Sequence, residues 1–117
     1  MDANEAEFTQ DRFLDGRLAI RQPAKGHRAG IDPVFLAAAV AAQPGERVLD
    51  LGSGTGIAGL CLLARLPEIE VTGLEIQPEL ARLARENAEA NGMGGAYRVV
   101  EGSVLDPPLL IRGRGFD

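Results

Sequence analysis

The sequence predicts an α/β fold in which helices cover a parallel sheet on both faces. Short β-rich runs alternate with helical segments over residues 46–117, and strands separated by helices favour parallel pairing with right-handed crossovers. A glycine-rich loop joins the first of these strands to a helix. Hydrophobic residues make up 45% and charged residues 25% of the 117 residues, a composition typical of one small globular domain.

Residues 1–45 are predicted to form an N-terminal region that precedes the sheet. A polar tail covers residues 1–10, and a short hairpin follows with its turn at Asp15-Gly16. The apolar segment that begins at Asp32 predicts a buried helix. Asp32 can cap it, and Pro33 suits the first helical position because its missing N–H would have no partner there.

Residues 46–117 are predicted to be the first half of the sheet domain. Its expected elements are strands at 47–51, 70–76 and 96–101 and helices at 57–66 and 78–91. Glycine or proline punctuates every connection between them, which supports these boundaries.

Composition argues against several other classes of protein. The polar start of the chain is unlike a signal peptide, and no apolar run approaches the roughly 18 residues that span a bilayer. Cys61 is the one cysteine and lies in an apolar run, so we interpret it as a core residue. No metal site is predicted. We expect a cytoplasmic protein with no membrane contact.

Charge is unevenly distributed along the chain. The formal net charge is −5, yet one segment near the N-terminus is basic. Its basic residues are Arg12, Arg17, Arg21, Lys25 and Arg28. A basic segment on an acidic protein favours either contact with a polyanion such as RNA or a solvated strand pair, and the sequence leaves both open.

The glycine loop indicates a ligand site. Asp50 ends the first strand, and Gly52, Ser53, Gly54 and Gly56 follow it directly. Glycine adopts backbone angles closed to other residues and lets a ligand approach the main chain. The following helix presents unpaired N–H groups at its N-terminus, which suit an anionic ligand group.

Two cofactors compete for this loop. Gly54, Gly56 and Gly59 match a dinucleotide fingerprint, which is weak evidence by itself. Asp50 argues against a dinucleotide because a carboxylate is unfavourable beside a pyrophosphate. S-adenosylmethionine carries an ammonium and a sulfonium and no phosphate, so a carboxylate attracts it. We therefore predict S-adenosylmethionine, with NAD as the alternative.

The ends of the next two strands supply further candidate residues. Glu75 ends the second strand, where a carboxylate can accept the ribose hydroxyls of an adenosine. Ile76, the next residue, could cover one face of the adenine. After the third strand, Ser103 could bind the adenine edge and Val104 could cover its other side.

Three segments resemble known motifs. VLDLGSGTG, VTGLEIQP and VVEGSVLD are similar, in order and spacing, to the first three motifs of class I S-adenosylmethionine-dependent methyltransferases. The upstream block FTQDRFLDGRLAIRQPAKGHRAGIDPVFLAAAV resembles the start of bacterial tRNA(Val) adenine-N6 methyltransferases. The resemblance implies a Rossmann-like fold, S-adenosylmethionine as cofactor and RNA as partner. It places Asp50 and the three loop glycines at the methionine end, Glu75 at the ribose, and Ser103 where many relatives carry Asp.

The end of the sequence departs from this family. Its adenine-N6 members carry an Asn-Pro-Pro-aromatic motif after the fourth strand, and that motif is absent here. We expect the chain to stop before the catalytic motif, to be inactive alone and to associate through the open edge of its first strand. The alternatives are a non-catalytic cofactor-binding fragment and a methyltransferase with a protein or small-molecule acceptor.

Overall fold

The computed structural model describes residues 8–24, 32–109, 111 and 115–117, without the side chains of residues 32–35. It contains two β-strands and a helix, followed by three strands that alternate with two helices. In chain order these are β1 (Phe8–Phe13), β2 (Leu18–Pro23), α1 (Asp32–Ala39), β3 (Arg47–Leu51), α2 (Ile57–Arg65), β4 (Glu70–Glu75), α3 (Pro78–Ala90) and β5 (Tyr97–Glu101). All eight lie within about three residues of their predicted positions, except that β1 begins inside the predicted tail.

The three later strands form a parallel sheet in the order β3-β4-β5. Val48 pairs with Val71, and Val71 pairs with Tyr97. The predicted α/β fold is confirmed. In the described part of the chain, α2 and α3 share one face of the sheet, because both crossovers run in the same direction and have the same hand. Ile111 and Phe116 contact the opposite face.

The β1–β2 hairpin belongs to the same hydrophobic core as the sheet. Leu18 and Ile20 on β2 are completely buried, and they pack with residues of α2, α3 and β5 in one cluster. The alternating burial along β2 follows from its pleat, which turns every second side chain to the core. The hairpin is therefore packed against α2 and α3 at a defined position.

The hairpin turn confirms the predicted position at Asp15-Gly16. Leu14 and Asp15 both have positive φ angles, 54° and 60°, as does Gly16 at 84°. β1 starts at Phe8, earlier than predicted, because strand pairing uses the backbone and tolerates polar side chains such as Thr9. The Asp32 cap lies outside the described side chains.

β3 lies at one edge of the described sheet. On its free side, the Asp117 N–H donates to the Arg47 carbonyl (2.7 Å), and the Arg47 N–H donates to Oδ2 of Asp117 (2.8 Å). Val48 and Leu49 are partly buried, whereas Leu51 is exposed. Self-association through this edge stays a prediction, which light scattering would test. None of the helices described is long and apolar enough to cross a membrane.

Candidate functional site

The glycine loop lies at the carboxyl end of β3 and leads into α2. Gly52, Gly54 and Gly56 have φ angles of 70°, 57° and 92°, in the left-handed region that favours glycine. The N–H groups of Gly52 and Ser53 both donate to the carbonyl of Leu74, at 2.8 and 3.1 Å. The loop is thereby attached to the neighbouring strand β4. A Cβ added to Gly52 would meet nothing within 4 Å, so on that side a ligand can approach the main chain.

The carboxylate of Glu75 fixes the position of the glycine loop through hydrogen bonds to backbone N–H groups. Its side chain is 5% exposed. Oε1 accepts a hydrogen bond from the Gly54 N–H (2.8 Å), and Oε2 accepts one from the Gln77 N–H (2.9 Å). A carboxylate that accepts two backbone N–H groups is well compensated for burial. Glu75 therefore joins the glycine loop to the start of α3, a role that the sequence did not reveal.

Asp50 is a half-buried carboxylate with an uncompensated oxygen. Its Oδ2 is buried and has no hydrogen-bond partner among the described residues. Burial, and then repulsion from Glu75, raise the pKa of Asp50 from 3.8 to about 6. A cation beside this carboxylate would offset the cost of its charge. The site therefore suits the positive charges of S-adenosylmethionine better than a pyrophosphate.

The side chain of Tyr97 fills the space next to Gly56, Gly59 and Gly73. A Cβ added to Gly59 would lie 2.5 Å from the Tyr97 ring, and one added to Gly73 would lie 2.8 Å from its hydroxyl. Gly56 is also close to that hydroxyl. Burial, and then the charge of Asp50, raise the pKa of Tyr97. A side chain at Gly59 or Gly73 would therefore collide with Tyr97. Close packing is also the role of the third glycine in the dinucleotide fingerprint, so the match at Gly59 does not by itself indicate a ligand.

The predicted adenine residues lie at the ends of adjacent strands. Glu75 pairs with Glu101 in register, so Ile76 and the Ser103 segment follow the two strands at the same edge of the sheet. Ile76 is 65% exposed and Val104 is 52% exposed. The Leu105 N–H donates to the Ser103 hydroxyl oxygen (3.1 Å), which leaves its O–H free to act as a donor.

A cavity of about 320 Å³ lies beside Asp50, between α1, β3 and α2. Its walls are otherwise apolar, with Leu36, Val40 and Leu51 among them. The structure therefore places the acid at the boundary between an apolar cleft and the glycine loop.

Part of the basic segment lies on the hairpin. Arg17 donates through Nη2 to the carbonyl of Ala64 near the end of α2 (3.1 Å). The guanidinium of Arg21 lies 5.1 Å from the centre of the Phe8 ring. Arg12 is exposed. Lys25 and Arg28 lie outside the described residues, so the structure groups only three of the five predicted basic residues.

Comparisons of sequence identify the family. A family model described as a methyltransferase domain matches residues 48–117. The chain is 36% identical over 113 residues to the tRNA1(Val) (adenine(37)-N6)-methyltransferase of Porphyromonas gingivalis, covering 92% of this chain and 44% of that protein. It is 49% identical over 59 residues to the release factor glutamine methyltransferase of Deinococcus radiodurans, covering 50% of this chain and 20% of that protein. The chain thus spans less than half the length of these relatives.

Comparisons of structure agree. The chain is similar to a SAM-dependent methyltransferase from Thiobacillus denitrificans, solved with S-adenosyl-L-homocysteine, with a TM-score of 0.51 and 38% identity over 61% of this chain and 29% of that one. P. horikoshii TYW2 shares the fold, with a TM-score of 0.70 and 22% identity over 87% of this chain and 38% of that one. The chain therefore belongs to the methyltransferase-domain family, whose methyl donor is S-adenosylmethionine.

Proposed function

We propose that this chain is the cofactor-binding part of an RNA methyltransferase that modifies the N6 atom of an adenine in tRNA. The observation that carries the proposal is the extent of its similarity to the tRNA1(Val) enzyme, which covers 92% of the chain. A match of that extent includes most of the hairpin and α1 as well as the sheet. The release factor enzyme matches only half of the chain, so it supports cofactor binding more than choice of acceptor.

Asp50 and the glycine loop are proposed to hold the methionine end of S-adenosylmethionine. The uncompensated charge of Asp50 would attract the ammonium group, and the space above Gly52 admits the ligand to the main chain. The buried loop residues Ser53, Gly54 and Gly56 would fix the shape of this surface. The bound cofactor would supply a methyl group made electrophilic by its sulfonium.

Glu75 is proposed to bind the ribose through lone pairs that remain after it accepts the two backbone N–H groups, since each carboxylate oxygen can accept more than one hydrogen bond. Ile76 and Val104, which are both exposed, would cover the adenine ring. Ser103 would contact the polar edge of the base. These residues orient the methyl group toward the acceptor, and proximity supplies much of the rate.

Calorimetric titration tests the cofactor site. The wild-type chain should bind S-adenosylmethionine saturably and should not bind NAD. Asp50→Ala should weaken binding at least about tenfold because the ammonium loses its countercharge. Glu68→Ala is the matched control, since it removes an exposed carboxylate before β4. NAD binding, or equal affinity in Asp50→Ala and wild type, would contradict the assignment.

The basic face of the hairpin is proposed to contact RNA phosphates. Arg12→Glu and Arg21→Glu should weaken tRNA binding, and the slope of log K against log salt should fall by about 0.7–0.9 for each phosphate that the variant no longer binds. Arg82→Glu makes the same charge change on α3, where Arg82 pairs with Glu86 at 3.2 Å. An unchanged slope in the hairpin variants would show that the hairpin is a solvated strand pair.

A protein acceptor is the second candidate, supported by the 49% identity to the release factor enzyme over half of the chain. Binding of the chain to total tRNA and to release factor, measured separately with S-adenosylmethionine present, distinguishes the two. Saturable binding of tRNA alone supports the first proposal, and saturable binding of release factor alone supports the second. Cofactor binding without affinity for either acceptor would indicate a non-catalytic binding chain.

A further inference from the structure

Two asparagines, Asn87 on α3 and Asn91 directly after its last residue, close the outer edge of the hairpin. β2 pairs with β1 on one side, and its other side meets α3. Asn91 caps the end of that helix, four residues after Asn87, and both side chains reach β2. Their carboxamides bind backbone groups of β2 at alternate residues, as a neighbouring strand would.

Asn91 makes the first of these contacts. Its Oδ1 accepts from the Ala19 N–H (3.0 Å), and its Nδ2 donates to the Ala19 carbonyl (2.8 Å). The same Nδ2 donates to the carbonyl of Asn87 (2.7 Å), inside the helix. Asn91 therefore binds the hairpin and its own helix, and it makes no contact with the glycine loop in the described structure.

Asn87 makes the second contact and adds a third partner. Its Oδ1 accepts from the Arg21 N–H (2.8 Å), and its Nδ2 donates to the Arg21 carbonyl (3.1 Å). The second hydrogen of Nδ2 goes to the carbonyl of Thr55 in the glycine loop (2.9 Å). The side chain is 1% exposed. One buried carboxamide thus joins the hairpin to the loop.

We infer that Asn87 is a positioning residue that couples the β1–β2 hairpin to the glycine loop, so that cofactor binding and the position of the hairpin stabilise each other. Both hydrogens of its amide are committed, and a buried amide left without a partner is costly. A shift of β2 along α3 must therefore break the bonds to Arg21 or displace Thr55. Thr55 directly precedes Gly56, whose carbonyl accepts from the Leu60 N–H to begin α2.

The coupling is reciprocal, as for any two linked sites. A ligand that orders the loop should slow the opening of the hairpin, and a partner that binds the hairpin should raise the affinity of the loop. Under the proposed function, on which this inference rests, the first ligand is S-adenosylmethionine and the second is RNA. Binding of the acceptor at the hairpin would then raise the affinity of the glycine loop for the cofactor.

Amide hydrogen exchange on the ligand-free chain tests the coupling without assuming a ligand. Asn87→Ala and Asn91→Ala each remove one contact between α3 and β2, and only the first also releases Thr55. The amides of Gly54 and Gly56 should exchange about tenfold faster in Asn87→Ala than in Asn91→Ala. Equal exchange of these loop amides in the two variants would overturn the inference.

Addition of S-adenosylmethionine gives the second readout. In the wild type it should slow exchange of the Ala19 and Arg21 amides. In Asn87→Ala the effect on Ala19 should disappear, and in Asn91→Ala the effect on Arg21 should persist. Cofactor binding that leaves wild-type hairpin exchange unchanged overturns the inference even if Asn87→Ala does not fold. Failure of the wild type to bind the cofactor contradicts the proposed function instead, and the ligand-free comparison then decides the coupling.

Discussion

Replacement of Asp50 by asparagine should stabilise the ligand-free chain while weakening cofactor binding. The ionised form of this carboxyl group is disfavoured in the folded state, because burial and Glu75 raise its pKa from 3.8 to about 6. Well below pH 3.8 the group is protonated in both the folded and unfolded states, so the shift in its pKa does not change the free energy of unfolding. As the pH rises from about 4 to 6 the unfolded chain ionises first, and the free energy of unfolding falls.

The size of this effect follows from the shift. A change from 3.8 to about 6 corresponds to as much as about 3 kcal/mol above pH 6. Asparagine removes the charge, but its amide is still a buried polar group. Part of the gain in the free energy of unfolding is therefore lost. We expect Asp50→Asn to be about 1–2 kcal/mol more stable than the wild type at about pH 8 and about 1 kcal/mol less stable than it at about pH 4, where the cost of the buried amide remains but the carboxyl group is uncharged.

Urea unfolding at the two pH values measures the difference. Comparison of the variant with the wild type at each pH cancels the titration of the other carboxyl groups. Glu68→Gln serves as the control, since Glu68 is exposed and its replacement should change stability little at either pH. A variant that is less stable than the wild type at the higher pH, or a difference that does not depend on pH, would refute the reasoning.

The same site supports three further predictions. Gly59→Ala should lower the free energy of unfolding by about 1–3 kcal/mol, since its Cβ meets Tyr97. As a control, Gly95→Ala should change the free energy of unfolding little, because a Cβ added there meets nothing within 4 Å. Thermal melts of the two variants measure the difference. Glu75→Gln should destabilise the chain by about 1–3 kcal/mol, because one amide N–H would then face a backbone N–H; wild-type stability in urea would disprove this. S-adenosylmethionine should bind about tenfold more weakly at about pH 5 than at about pH 7.5, since its cation favours ionised Asp50, and calorimetry showing no pH dependence would contradict that.

The elements of the fold could be predicted because their signals are local. The turn at Asp15-Gly16 and the glycine loop each depend on a few neighbouring residues, and the structure has both as expected. The start of β1 at Phe8 was missed because its partner, Pro23, lies across the hairpin. Pairing of polar residues through the backbone leaves no hydrophobic pattern to detect.

The candidate site could be predicted in part. Asp50 and Glu75 were recognised as acids at strand ends, and the structure brings them close enough for Glu75 to raise the pKa of Asp50. The importance of Tyr97 was missed, although glycine at 59 and 73 was a signal that a large side chain lies nearby. Asn87 was also missed. Its position within the apolar stripe of a helix was a signal, because an asparagine there is unfavourable unless it has hydrogen-bond partners.

The sequence by itself determined the order of elements, the position of the glycine loop and the cofactor class, because each depends on residue types within short segments. Only the tertiary structure decided that Glu75 holds the loop and that Asn87 joins the loop to the hairpin. Those hydrogen bonds connect residues 21, 32 and 66 positions apart. Their geometry follows from how the helices pack on the sheet, and no pattern within one segment encodes it.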